Sequence, residues 1–155
     1  MLPDNVEHIF CAVRGVPQSR ATVTKAIDLA VEHKAQLTFV HINNADFLIS
    51  AGPMMNSLSR VKKQIHNLSE FAMLVLCDRA QRQGIEEVDF IIRDGEILPE
   101  IFAVLTEYAV DILVVGKPVE PVAGSTLKMS DFETFLYEVE NSTNTVVIPV
   151  EIEIQ

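Results

Sequence analysis

Short apolar runs alternate with amphipathic segments along this chain, and that alternation restricts the fold more than any other feature of the sequence. Residues 6–13, 36–42, 88–93, 112–115 and 145–150 are rich in Val, Ile, Phe and Leu, and each is short enough to be a strand buried on both faces. Between them, apolar residues recur three and four positions apart, the spacing of a helix that buries one side. Val23, Ala26, Ile27, Ala30 and Val31 mark a first helix, opened by Pro17 and Ser19. Leu58, Val61, Ile65, Leu68, Ala72 and Val75 give the expected core stripe of a long second helix over 57–83, with Gly84 as its stop. Ile97, Ile101, Leu105 and Tyr108 are the expected core face of a third helix with Pro99 near its first turn, and Phe132, Phe135, Leu136 and Val139 that of a fourth. Strands joined by helical crossovers build a parallel α/β sheet with helices on both faces. A chain of 155 residues needs only one core, so a single domain over 1–155 is expected.

Charge narrows the partners. Twelve Lys+Arg against 22 Asp+Glu leave a net charge of -10, which opposes DNA, RNA and anionic membranes. No apolar run approaches the ~20 residues of a membrane span, and Met1-Leu2-Pro3-Asp4-Asn5 lacks the basic and apolar regions of a leader, so a cytoplasmic location is expected. Cys11 and Cys77 fall inside element patterns without metal-ligand spacing and read as buried thiols. His8, His33, His41 and His66 are scattered, so no metal site is expected.

The chemistry concentrates after the fourth strand. Ile112-Leu113-Val114-Val115 ends at Gly116, where a ligand could approach the backbone, and Ser130-Asp131-Phe132-Glu133 reads as a capping box that starts the last helix at Ser130. Strand, glycine turn and helix N-terminus together form a common phosphate cradle. Lys117 either neutralises a bound anion or is a solvated loop charge. Gly124, Ser125 and Thr126 either bind phosphate through backbone and hydroxyls or make a turn. Asp131 and Glu133 already answer the helix dipole and oppose a triphosphate, and Pro118 and Pro121 delete two backbone donors. On the other side of the sheet centre, Arg14 either meets a ligand anion or pairs with Asp94 or solvent. No nucleophile with an orienting base accompanies His41, so catalysis is not expected.

Ala12-Val13 followed by a polar residue and Gly15, Lys25 to Ala30, Ala35 to Ile42, Gly95 to Ile101 and Ala109 to Gly116 together resemble the universal stress protein family over nearly the whole chain. The resemblance implies an adenine nucleotide alpha hydrolase-like fold, with five parallel strands in the order 3-2-1-4-5. It also implies a ligand crevice at the carboxyl ends of the first and fourth strands. ATP-binding members carry an Asp at the end of the first strand and G-x2-G-x9-G-[S/T] after the fourth. Here Arg14 stands at the first place, and Gly116, Val119, Met129 and Ser130 fall on the second pattern, so only its first glycine and its hydroxyl survive. Family members commonly form homodimers through the last strand, which would make Val146, Val147, Ile148 and Val150 the contact residues.

Two functions fit this reading. One is a regulatory protein that binds an adenine nucleotide such as ATP or AMP, or another small anion, weakly. Val13, Arg14, Gly15, His41, Ile42 and Asn43 would border its pocket, while Gly116, Lys117, Gly124, Ser125, Thr126 and Ser130 line the anion end. The other is a protein-interaction module with a vestigial pocket, working through its dimer or its long second helix.

Overall fold

The computed structural model describes residues 2–14, 19–44, 55–118 and 129–151, with 55–58 described in their backbone alone. Five strands and four helices alternate: β1 (His8–Ala12), α1 (Arg20–His33), β2 (Gln36–Asn43), α2 (Met55–Arg82), β3 (Val88–Asp94), α3 (Ile97–Glu107), β4 (Ile112–Gly116), α4 (Met129–Ser142) and β5 (Val146–Val150). All pairings are parallel and the order is β3-β2-β1-β4-β5.

The strands are continuous apolar runs because consecutive side chains feed two separate cores. Ile9, Cys11, Leu37, Phe39, Ile112 and Val114 pack with α1 and α2 on one face. Phe10, Ala12, Val40, Ile42, Leu113 and Val115 pack with α3 and α4 on the other. At the amino end, Asp111 Oδ2 accepts the amides of Glu7 and His8 at 2.9 and 3.0 Å, which ties the start of β4 to that of β1. Gly84, at φ 100°, and Gly95, at φ 145°, supply the two turns for which a side chain is unsuited. At Gly95 an added Cβ would also lie 2.8 Å from the Glu100 side chain.

Three helical expectations need correction. On α2, Val61, Leu68 and Val75 are exposed, and Ser69, Met73, Leu76, Cys77 and Ala80 are the residues turned to the sheet. This helix carries two apolar faces, and the expected stripe drifts between them, since Ile65 and Ala72 are half-buried and Ala72 packs against the core. Leu58 lies outside the described side chains. On α1, Val31 is 47% exposed although Val23, Ala26, Ile27 and Ala30 are buried, because it falls at the edge of the apolar stripe. Tyr108 follows the last residue of α3 and is 46% exposed, with its ring laid against Phe10 at 5.7 Å. Val104 fills the core position instead.

Cys11 and Cys77 are both buried, as expected. Burial alone pushes the Cys11 thiol far above its ordinary range; Cys77 is raised to about 11 by burial and by Asp89. With such a pKa, Cys77 has about one thiolate per thousand molecules at pH 8, since only the ionised form attacks a disulfide. Neither thiol should therefore react appreciably with a disulfide reagent such as DTNB at pH 8 until the protein is unfolded, as release of the coloured thiolate will report; prompt labelling of the native protein would contradict the burial. A second measurement checks the two sides of α1. Ile27→Ala should cost about 2–5 kcal/mol in urea unfolding, whereas Val31→Ala should stay within about 0.5 kcal/mol.

Candidate functional site

The crevice lies where β1 and β4 end, because the chain leaves β1 toward α1 on one face and β4 toward α4 on the other. Val13 closes the β1 end: its amide donates to Val40 O at 2.8 Å, and its carbonyl accepts from His41 Nδ1 at 2.8 Å. A carbonyl can only accept, so His41 carries its proton on Nδ1 and is held as a brace between β1 and β2. The next residue, Arg14, donates its amide to Ser19 Oγ at 2.9 Å. Ser19 is the N-cap of α1, yet its side chain makes no capping bond.

The Arg14 guanidinium is the least satisfied charge of the site. It is half-buried, its Nη2 is buried without a hydrogen-bond partner among the described residues, and burial pushes its pKa below the usual arginine value. No ion pair with Asp94 forms among the described residues. An arginine stays charged even so, and a desolvated cation without a counter-charge is costly, which favours an anion beside it.

At the end of β2, Ile42 packs into the core beneath α3 and α4, while Asn43 is the last residue of the strand, paired with Asp94 of β3. The Asn43 carbonyl accepts from the Gly95 amide at 3.0 Å, and its side-chain Oδ1 accepts from Ser69 Oγ at 2.9 Å. Its Nδ2 is buried and has no partner among the described residues. Both unsatisfied groups at this edge are therefore donors. Ser69, the residue that orients Asn43, was missed in the sequence because a lone serine on a helical stripe has no distinctive spacing.

Gly116 ends β4 opposite Val150, and the Lys117 amide donates to Val150 O at 2.8 Å. The Lys117 ammonium lies 4.0 Å from Glu151, an exposed pair that contributes little to stability. Gly15, Val119, Gly124, Ser125 and Thr126 lie outside the described residues. Ser130 is not the N-cap: α4 already begins at Met129, so Ser130 sits in the first turn with its carbonyl accepting from Thr134 Oγ1 at 3.0 Å. Met129 has the better helix propensity and carries the helix one residue farther upstream than the capping-box pattern implied.

A cavity of about 550 Å³ opens between the starts of α3 and α4. Ile97, Leu98, Phe102 and Phe135 give it an apolar floor, and Glu96, Asp131 and Glu138 stand around it. Those carboxylates make it unsuited to phosphate and leave the Arg14 side as the anion end. Among the described residues no group of three or more His, Cys, Asp or Glu side chains is placed to hold a metal ion, and no helix is long and apolar enough to cross a membrane.

Comparison with solved structures finds the same architecture repeatedly. The universal stress protein UspA from Lactobacillus plantarum superposes with a TM-score of 0.72 at 18% identity, over 94% of this chain and 99% of that one. A universal stress protein in complex with cAMP gives 0.64 at 18% identity, over 96% and 98%. The universal stress protein from Archaeoglobus fulgidus in complex with dAMP gives 0.54 at 14%, over 96% and 99%. No curated protein matches this chain. At such identities the superpositions establish the fold, with its order β3-β2-β1-β4-β5 as expected. The family profile of the universal stress proteins matches residues 5–126, most of the chain, and this protein therefore belongs to the universal stress protein family.

Proposed function

We propose that this chain is a single-domain, cytoplasmic regulatory protein of the universal stress type that weakly binds an adenine nucleotide with one phosphate at the crevice between β1 and β4. The observation that carries the reading is the Arg14 guanidinium, half-buried with Nη2 unpartnered among the described residues. Where ATP-binding members would place an acceptor carboxylate, this chain places a donor fork suited to a phosphate or carboxylate. The neighbours solved with cAMP and dAMP support an adenine ligand bearing a single phosphate. Asp131 in the first turn of α4, followed by Glu133 at the start of the second, weighs against a longer phosphate chain.

The functional unit in this reading is a homodimer. β5 is an edge strand, and Val146, Val147, Ile148 and Val150 are all only half-buried in the isolated chain, so pairing there would remove apolar surface from water. With the hydroxyl and amide donors of 15–18 and 119–128 outside the described residues, Arg14, Asn43 and Lys117 are the site residues on which binding can be tested. None of them forms a nucleophile and base pair, and the reading is one of binding without turnover.

A second reading, a protein-interaction module, is favoured by the apolar side chains of α2 that face solvent. Calorimetry separates the two. AMP should bind the wild-type chain with measurable heat, and Arg14→Gln should weaken it about 10- to 100-fold, the loss of one or two charge-assisted hydrogen bonds. Absence of heat with AMP, ADP and ATP at millimolar concentration rejects the nucleotide reading.

A further inference from the structure

The cavity between the starts of α3 and α4 has no part in holding an anion, and its walls carry a chemistry of their own. Both helices run back from the carboxyl ends of parallel strands, so they start at the same end of the sheet. Farther along, Ile101, Val104 and Leu105 of α3 share one core with Phe132, Phe135 and Val139 of α4. At their starts a space of about 550 Å³ remains, within the ~300–1,000 Å³ of small-molecule sites. From α4 it receives Asp131, Thr134, Phe135 and Glu138, which are spaced i, i+3, i+4 and i+7 and so form one stripe. From α3 it receives Ile97, Leu98 and Phe102, with Glu96 just before them.

We propose that this cavity binds a small organic cation, an ammonium group carried on an aromatic or aliphatic body. The body would lie on Phe102 and Phe135, and the ammonium would face Glu96, Asp131 and Glu138. None of these three carboxylates has a hydrogen bond or a cation among the described residues. Glu96 is the N-cap of α3, yet its side chain caps nothing. The nearby cations are otherwise engaged, Arg93 by Glu100 and Glu107 and Lys117 by Glu151. Thr134 already donates its hydroxyl to the Ser130 carbonyl at 3.0 Å, so the stripe of α4 offers a ligand acceptors above an apolar floor.

Charge and size select this ligand class. The two helix starts bring about half a unit of positive charge each, which three full carboxylates outweigh. Among the described residues no three such side chains are placed to hold a metal ion, so the positive charge has to arrive on a larger molecule. The two phenyl rings suit an apolar body, and an ammonium near a ring face gains further from its quadrupole. The carboxylates are exposed and hydrated, so the amine gains only moderately from them and the apolar floor supplies the rest.

Fluorescence tests the assignment directly, because the chain contains no tryptophan and the emission of an added indole reports its own surroundings. Tryptamine, tryptophol and indole-3-propionate share the indole and its two-carbon arm and differ in carrying a positive, no or a negative charge. Titrated with the full chain at low salt, tryptamine should show a saturable blue shift, tryptophol should bind about tenfold more weakly, and indole-3-propionate should not saturate. Asp131→Asn and Glu138→Gln should each weaken tryptamine about three- to tenfold and leave tryptophol unchanged. Thr134→Phe, which sets a ring into the cavity, should abolish the shift for both. All three positions are exposed, so far-ultraviolet circular dichroism should not change. The absence of a saturable shift with tryptamine overturns the proposal, as does equally tight binding of indole-3-propionate. Unchanged tryptamine affinity in all three variants also overturns it, by placing the amine elsewhere on an acidic surface.

Discussion

The organisation of this molecule depends on β1 being hydrogen-bonded along both edges while its two neighbours continue into helices on opposite faces. Ile9, Phe10 and Cys11 are almost fully buried, and they pair with Leu37, Thr38 and Phe39 on one side and Ile112, Leu113 and Val114 on the other. The chain then leaves β1 toward α1 and β4 toward α4, on opposite faces. The space between those two exits cannot be filled by either crossover. What stands at the exits is set by register: Val13 and His41 close the backbone, and Arg14 is the first side chain beyond that closure.

The sheet was readable from the sequence for a physical reason. Strands sandwiched between two helical layers have no wet face, so they appear as uninterrupted apolar runs, and five such runs separated by helical spacing leave few topologies. Strand ends shifted by one or two residues, as helix and strand boundaries commonly do. The long helix was harder. Val61, Leu68 and Val75 give as clean a repeat as Met73, Leu76 and Ala80, and no pattern in one sequence says which stripe meets the sheet. Ser69 and Ala80 carry the missing signal, since small residues allow close approach to β2 and β3, but only once those neighbours are known.

The site was legible in part. Arg14 could be assigned to the end of β1 because its strand is unambiguous, and its lack of a partner emerges only from the burial of its guanidinium. Asn43 was placed at the end of β2, but its tie to Ser69 spans 26 residues of sequence and could not be inferred locally. The helix start at Met129 shows the opposite failure. Ser130 and Glu133 match a capping box in composition, yet matching residues do not fix which backbone amides are left unpaired. The cavity between α3 and α4 was invisible because its lining comes from elements brought together only by the crossover after β3.

Charge at the ligand end is mixed. The carboxyl end of the sheet receives Arg14 and Lys117, but also Asp94, Glu96 and Asp131, whereas Glu7, Glu87, Asp89 and Asp111 gather at the amino end. On a chain of net charge -10 with acids at both ends, attraction for an anion is therefore local to the Arg14 side of the crevice, and salt screens the acids that lie farther off than about 8–10 Å.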